Sequence, residues 1–305
     1  MTSTLGLRTF DHDDFAIATL CERKGDTTVS VCLPARNEEA TVGSIVADLV
    51  SGVVEAHPLV DEILVVDDHS EDRTAELARS AGARVVSAAE ILPSYGRGHG
   101  KGEALWKSVF ASGGDIVLWC DADIRNFGIR FVVGLLGPLL HHPELSFVKG
   151  FYDRPVVGST AGGGRNTELV ARPLISLLFP ELSGFVQPLS GEYGGRRELL
   201  EHLAFVQGYG VDLAMLIDVS RTIGIDGMAQ VDLGSRVHRN RRLDELSVQS
   251  TGVMAAALGR VVPELVSELP ILNRPGYPPV VVPTGERPPL AGLPEYLDRP
   301  DRQAT

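Results

Sequence analysis

Cysteine is scarce in this chain. Its three cysteines, Cys21, Cys32 and Cys120, are widely spaced and have no metal-ligand spacing. This argues against a disulfide-stapled secreted fold and against a cysteine metal site; Cys32 and Cys120 lie in strand-like apolar runs and read as reduced core residues. Basic residues are outnumbered, with 28 Lys and Arg against 40 Asp and Glu and a net charge of −12. Neither nucleic acid nor an anionic membrane surface attracts such a protein, so no partner of either kind is expected. A few local cations still suffice to make a pocket for a small anion. No apolar run approaches the length of a bilayer span. The N-terminus has no basic stretch followed by an apolar one, so no secretory signal is expected and a cytoplasmic location fits. What remains, 44% hydrophobic and 22% charged residues over 305 positions, is an ordinary globular composition, enough for one large domain or two small ones.

Residues 1–27 are polar and irregular and read as a lead-in arm. An alternation then begins. Strands are expected at 28–33, 62–67, 84–87 and 115–120, and helices at 41–54, 74–81 and 103–111. The first helix carries Val42, Ile45, Val46, Leu49 and Val50 on one face. Strands alternating with helices imply βαβ units and a mostly parallel sheet with helices on both faces. The second half is less regular. Strands are expected at 145–152 and 229–233, and helices at 167–179 (interrupted by Pro173), 211–222 and 243–265. Nine of the nineteen prolines lie from Pro270 onward, and that tail reads as an extended arm.

The common nucleotide motifs are missing. The first strand leads into Pro34-Ala35-Arg36-Asn37-Glu38-Glu39, not a G-x-G-x-x-G turn. In the glycine-rich stretch 96–102, Tyr95 stands where a Walker motif needs its first glycine, and Gly102 stands in place of Ser or Thr. Asp121-Ala122-Asp123, directly after the apolar run 116–120, is more informative. Two carboxylates released at the C-terminal edge of a buried strand lie where open α/β sheets bind ligands. Their oxygens suit a hard divalent cation, Mg²⁺ or Mn²⁺, and such a cation usually accompanies a phosphate.

Four motifs occur in order over residues 28–123: Pro34 to Glu39; Val66-Asp67-Asp68-His69-Ser70 with Asp72 and Thr74; Gly100-Lys101-Gly102-Glu103-Ala104; and Asp121 to Asp123. Together they resemble the GT-A fold glycosyltransferases that use nucleotide-sugars. Downstream, residues 162–173, Gln187 to Tyr193, Gly208 to Asp212 and Val237-His238-Arg239-Asn240-Arg241 extend the likeness over about residues 28–250. In these the chain resembles the glucosyl-3-phosphoglycerate synthase family, which includes related mannosyl-3-phosphoglycerate synthases. The resemblance implies a Rossmann-like, mostly parallel sheet flanked by helices; a C-terminal helical extension and the proline-rich tail follow, and the tail after Leu265 departs from the family pattern. The expected divisions, from composition together with this likeness, are an arm at 1–27, a catalytic domain at 28–242 (halves 28–123 and 124–242) and a C-terminal helix and tail at 243–305. It also implies transfer of glucose from UDP-glucose to the 2-hydroxyl of 3-phosphoglycerate with retention, and a homodimer, through the 243–265 helix or the tail.

The same resemblance implies site residues. Asp123 and His238 hold Mg²⁺ or Mn²⁺. Pro34, Ala35, Arg36 and Glu38 line the uracil and ribose pocket, with Asp121 and Ala122 on the ribose or uridine side. Asp68 lies near the base, where the family commonly has Ser; Asp67 is either a uridine acceptor or a plain strand-end residue. Lys101, after its glycine run, binds the diphosphate or the sugar end of the donor. Tyr209 and Asp212 approach the sugar, where the family usually has Glu at the Asp212 position, and Leu189 lies near the anomeric centre. Gly164, Arg165 and Thr167 form an anion site at a helix start, joined by Arg239 and Asn240. Asp123, Lys101, Asp212 and Leu189 are the residues expected at the chemistry. The competing readings are GDP-mannose as donor, another acceptor such as a polyprenyl phosphate, a nucleotidyltransferase, and a non-catalytic nucleotide-sugar sensor.

Overall fold

The computed structural model describes residues 6–98, 100–154, 164–237, 243–266 and 270–299. The chain opens with β1 (Arg8–Asp11) and α1 (Ile17–Lys24). Then come β2 (Val29–Ala35), α2 (Val42–Leu49), β3 (Glu62–Asp67), α3 (Thr74–Ser80), β4 (Arg84–Ser87), α4 (Lys101–Ala111) and β5 (Ile116–Trp119). The second half runs α5 (Arg130–His141), β6 (Phe147–Asp153), α6 (Arg172–Leu178), β7 (Tyr193–Arg196), the short α7 (Arg197–Leu200), β8 (Phe205–Val206), α8 (Val211–Ile223) and β9 (Met228–Ser235). It ends with α9 (Leu243–Gly259), β10 (Ile271–Arg274), β11 (Tyr277–Val281), β12 (Glu286–Arg287) and α10 (Pro294–Leu297).

The main sheet has 8 strands in the order β1-β9-β6-β7-β5-β2-β3-β4. Every pairing is parallel except those of β7, which runs antiparallel to β5 and β6. Successive strand residues face opposite sides of a sheet, and the strands divide accordingly. Cys32, Leu64, Val66, Val117 and Trp119 pack against α4, α6 and α8. Val31, Leu33, Val65, Ile116 and Leu118 pack against α1, α2 and α5. Burial on both faces gives the near-continuous apolar runs that mark these strands in the sequence.

Several expectations change. The N-terminal arm is not irregular: β1 pairs with β9 at the sheet edge, and Leu20 of α1 is buried. β7 was not expected, because Tyr193-Gly194-Gly195-Arg196 has no β-branched residue. Its glycines are needed where a Cβ at Gly194 would lie 2.4 Å from Val117 O. The 41–54 helix begins as α2 and continues as a π-helical turn to Glu55; the 167–179 helix begins as a π-helical turn, Thr167–Ala171, with Pro173 in the first turn of α6, where its missing N–H costs little. The proline-rich tail is not a free arm. β12 pairs with β8, and Leu290, Leu293 and Tyr296 are buried in the main core. No helix among the described residues is long and apolar enough to cross a membrane.

Candidate active site

The C-terminal ends of β2, β3 and β5 border a cavity of about 570 Å³. The end of β2 gives it Pro34, Ala35, Arg36, Asn37 and Glu38. Asn37 and His69, just past β2 and β3, both hold positive φ, 56° and 61°. Such left-handed backbone costs of order 1–3 kcal/mol per residue outside glycine. Cross-links between the two loops hold Asn37 there: its N–H donates to Ser70 Oγ (3.0 Å), its Oδ1 accepts Glu71 N–H (2.8 Å), and Glu38 N–H donates to Thr74 Oγ1 (2.8 Å).

Asp68 lines the cavity but is buried with both oxygens engaged. Oδ2 accepts Gly100 N–H at 2.9 Å, and Oδ1 lies 2.9 Å from His69 Nδ1. It pins the glycine loop from within the cavity wall. Asp67 is not among the lining residues and accepts Ser70 N–H at 3.3 Å, the plain strand-end alternative.

Asp121, Ala122 and Asp123 leave β5 into the cavity, with Ala122 O accepting from Thr41 Oγ1 at 2.6 Å. Asp121 sits between two cations: Oδ1 is 3.1 Å from Lys101 Nζ and Oδ2 is 3.0 Å from Arg236 Nη2. The same Nη2 meets Asp123 Oδ1 at 2.5 Å, while Nη1 meets Glu192 Oε1 at 3.0 Å and donates to Tyr152 OH at 2.7 Å. Gly191 makes room for this cluster, since a Cβ there would lie 2.0 Å from Asp121 Oδ2. Asp121 is therefore a charge-pairing residue in this structure. Among the described residues Asp123 has Arg236 as its only hydrogen-bond partner. Its other oxygen is a hard donor of the kind that Mg²⁺ or Mn²⁺ takes.

Lys101 opens α4 and also pairs with Asp212 at 3.1 Å, and Tyr193 OH donates to Asp212 Oδ1 at 3.0 Å. Burial works against the Lys101 charge, but Asp121 and Asp212 outweigh it and raise its pKa above the ordinary lysine value. Burial likewise opposes ionisation of Asp121, and Lys101 and Arg236 reverse this, holding its pKa below the usual carboxylate range. Glu192 goes the other way: burial raises its pKa despite Arg236. Below the site, burial lowers Lys149 to about 7. Its Nζ lies 4.0 Å from the Tyr193 ring centroid and donates to Ser190 O at 3.0 Å.

The opposite wall starts at Gly164 (φ +85), whose carbonyl accepts Glu168 N–H at 2.9 Å. Arg165, Asn166 and Thr167 line the cavity there, with Arg154, Leu189, Tyr209 and Asp212. Asn166 ties this wall to α9, accepting from Ser250 Oγ at 3.0 Å, and α9 adds Leu246, Gln249 and Val253 to the lining.

One cavity thus brings together Pro34, Ala35, Arg36, Glu38, Asp68, Lys101, Asp121, Ala122, Asp123, Gly164, Arg165, Thr167, Leu189, Tyr209 and Asp212. His238, Arg239 and Asn240, with Gly162 and Gly163, lie outside the described residues. Sequence reasoning missed Arg236, Arg154, Tyr152 and Gln249. Arg236 stands one residue before the quoted Val237 motif, and only the pairing of β9 with β6 brings it under β5. A separate cluster, Asp11, His12 and Asp13, is a helix cap away from the cavity: Asp11 Oδ1 accepts Asp13 N–H at 2.9 Å, and Asp11 N–H donates to Asp14.

Residues 30–128 match the Glycosyl transferase family 2 model. The chain is 45% identical to glucosyl-3-phosphoglycerate synthase of Petrotoga mobilis over 96% of both chains. It is 48% identical to the Mycobacterium tuberculosis enzyme of that name over 83% of this chain and 79% of that one. The crystal structure of the M. tuberculosis enzyme with Mn²⁺, UDP-glucose and phosphoglyceric acid superposes with a TM-score of 0.83 at 44% identity, covering 93% of this chain and 98% of that one. That of mannosyl-3-phosphoglycerate synthase from Rubrobacter xylanophilus gives 0.85 at 41% identity, covering 93% and 96%. With its GT-A fold and the cavity described above, the chain belongs to the glucosyl-3-phosphoglycerate synthase family of glycosyltransferases.

Proposed function

We propose that this protein transfers glucose from UDP-glucose to the 2-hydroxyl of 3-phosphoglycerate, with retention at the anomeric carbon and with Mn²⁺ or Mg²⁺. The observation that carries the reading is a single cavity whose two walls suit the two substrates. The Pro34–Glu38 wall with Lys101 suits a nucleotide diphosphate, and the Gly164–Thr167 helix start with Arg165 suits a phosphorylated carboxylic acid. Its volume, about 570 Å³, lies within the usual range of small-molecule sites.

In this reading Glu38 accepts from the ribose, and Asp123, with His238 by family resemblance, holds the divalent cation. That cation neutralises charge on the departing diphosphate. Lys101 adds a fixed positive charge beside it, kept ionised by Asp121 and Asp212. Asp212 and Tyr209 orient the glucose hydroxyls, and the backbone around Leu189 borders the anomeric centre. Arg165 and Thr167, with Arg239 and Asn240, hold the acceptor. The bond from the anomeric carbon to UDP breaks as the bond to the acceptor oxygen forms on the same face, and the hydroxyl proton passes to a diphosphate oxygen. Catalysis on this account is positioning and electrostatics.

The likeness to the R. xylanophilus enzyme supports a second reading, GDP-mannose as donor. Incubation with Mn²⁺, 3-phosphoglycerate and, in parallel, UDP-glucose, GDP-glucose and GDP-mannose, followed by mass spectrometry, separates them. Glucosyl-phosphoglycerate from UDP-glucose supports the first reading; product from GDP-mannose alone replaces it with the second; no product overturns both. The homodimer belongs to the same proposal and is supported by exposed Leu243, Ile271, Tyr277 and Val281; a monomer by light scattering at micromolar concentration would refute it. A cytoplasmic location is supported by three free cysteines, and secretion of the native chain would exclude it.

A further inference from the structure

The C-terminal segment reaches the site from behind and grips it on two sides. On one side β12 lies antiparallel to β8, with Arg287 opposite Phe205, and Gln207 N–H donates to Gly285 O at 2.9 Å. β8 runs directly into the turn that carries Tyr209 and Asp212. On the other side, the Arg287 guanidinium binds the Glu103 carboxylate through Nε (2.5 Å) and Nη2 (3.0 Å), while Nη1 donates to Tyr95 O. Glu103 also pairs with Lys107 at 2.8 Å, and Lys107 Nζ donates to Ala88 O (2.6 Å) and Arg97 O (3.1 Å). Glu103 and Lys107 are fully buried.

The partners of this network are the glycine-rich loop ahead of Lys101 and the first turn of α4. Gly98 lies against Glu103, where a Cβ would sit 2.1 Å from the carboxyl carbon, and a Cβ on Gly102 would sit 1.8 Å from Val206 O. A glycine-rich loop has little stiffness of its own, so its position comes from its tethers. Asp68 and His69 hold it from the β3 side, through Gly100 N–H and Arg97 Nε (2.8 Å). Arg287 holds it from the other. Lys107 already neutralises the Glu103 charge; what Arg287 adds is a planar fork that fixes the Glu103 carboxylate and the Tyr95 carbonyl at once.

We infer that Arg287 is a positioning residue for the donor site, strapping residues 95–98 and the first turn of α4 to β8 so that Lys101 meets Asp121 and Asp212. The inference rests on Lys101 serving the donor diphosphate.

The test uses full-length R287M and R287K, with UDP-glucose binding by calorimetry in the presence of Mn²⁺, steady-state kinetics, melting temperature and hydrogen exchange. For R287M the expected result is about a tenfold weaker donor Kd, a phosphoglycerate KM within about twofold of wild type and faster exchange at 96–103, with β5 amides unchanged. R287K restores the charge without the fork and stays weak. Donor affinity restored by R287K would overturn the inference, as would unchanged loop exchange or equal losses for both substrates. If the wild type binds UDP-glucose but makes no glucosyl-phosphoglycerate, the functional reading falls, and the loop-exchange and donor-binding results still decide this one.

Discussion

Replacing Arg236 by methionine removes the cation shared by Asp121, Asp123 and Glu192. The methionine keeps part of the aliphatic volume, so the change is mainly one of charge and hydrogen bonding. Arg236 is 4% exposed and Glu192 is 0% exposed, so neither group regains water when the pair is broken. Breaking a buried ion pair by deleting one partner costs about 3–5 kcal/mol. For a chain of this length, with an unfolding entropy of about 2.1 cal/mol/K per residue, that is a drop of about 5–8 °C in melting temperature. The deficit depends on pH. Burial already raises the Glu192 pKa, and without Arg236 it rises further. The folded variant therefore binds a proton more readily than folded wild type. Its deficit is largest at pH 8 and shrinks toward pH 5, as Glu192 becomes neutral. Urea unfolding followed by the fluorescence of buried Trp106 and Trp119 reads both quantities. A deficit below about 1 kcal/mol, the scale of an exposed pair, would show that Arg236 does not hold the cluster together. A deficit equal at pH 5 and pH 8 would refute the assignment of the cost to Glu192.

Asp123→Asn should lower Mn²⁺-dependent turnover by at least about a hundredfold, a loss of about 2.7 kcal/mol or more. It should also abolish the Mn²⁺-induced rise in melting temperature; a rise equal to that of wild type would remove Asp123 from the metal site. Arg165→Ala should raise the phosphoglycerate KM about 10- to 100-fold, as loss of charge-assisted hydrogen bonds of about 1.5–3 kcal/mol implies. UDP-glucose binding should be little changed, and equal losses by calorimetry would contradict the acceptor role. Lys149 lies lower in the folded chain, at about 7, than in the unfolded chain at 10.5, so between these values the unfolded state binds the extra proton and stability rises with pH. The slope from this group is at most about 1.4 kcal/mol per pH unit. Lys149→Met should flatten that part of the stability profile, and an unchanged slope would mean that Lys149 does not titrate there.

The parallel strands and their helices were legible because each strand is buried on both faces and each helix on one, which leaves distinct periodicities. α5 was not read: its buried residues include Phe131, Val132, Val133, Leu135 and Leu136, with Gly134, Gly137 and Pro138 among them, so neither period nor propensity stands out. Its place follows from packing, since a Cβ on Gly137 would lie 2.3 Å from the Phe15 ring. The donor wall was legible because Pro34 to Glu38 and Asp121 to Asp123 are contiguous motifs at strand ends. Arg236 was not, because its meaning depends on β5, β6 and the 187–192 segment arriving together. The tail misled for a related reason. Its prolines read as extended chain, which β11 and β12 are, but the core that buries its anchors Leu290, Leu293 and Tyr296, and the buried Glu103 that meets Arg287, belong to distant parts of the sequence.

The charge balance of the network beside the cavity shows what an anionic donor must bring with it. Asp121, Asp123, Asp212 and Glu192 face Lys101 and Arg236 within one connected network. Lys149, next to it, is held near 7 first by burial and also by the Lys101 charge, so it contributes only part of a third cation at neutral pH. The network is thus close to balanced or slightly negative before any ligand arrives. A nucleotide diphosphate would bring further negative charge beside Asp121 and Asp123, in a site where low polarizability makes like charges costly. Two remedies fit the described residues: a divalent cation at Asp123, or protonation of Glu192, whose pKa is already raised. The first leaves the Arg236–Glu192 pair intact, and the second leaves Arg236 with Asp121 and Asp123 alone. Donor binding measured with and without Mn²⁺ across pH 5 to 8 separates them. If the cation balances the charge, affinity depends strongly on Mn²⁺ at every pH; if Glu192 does, affinity without metal rises as pH falls.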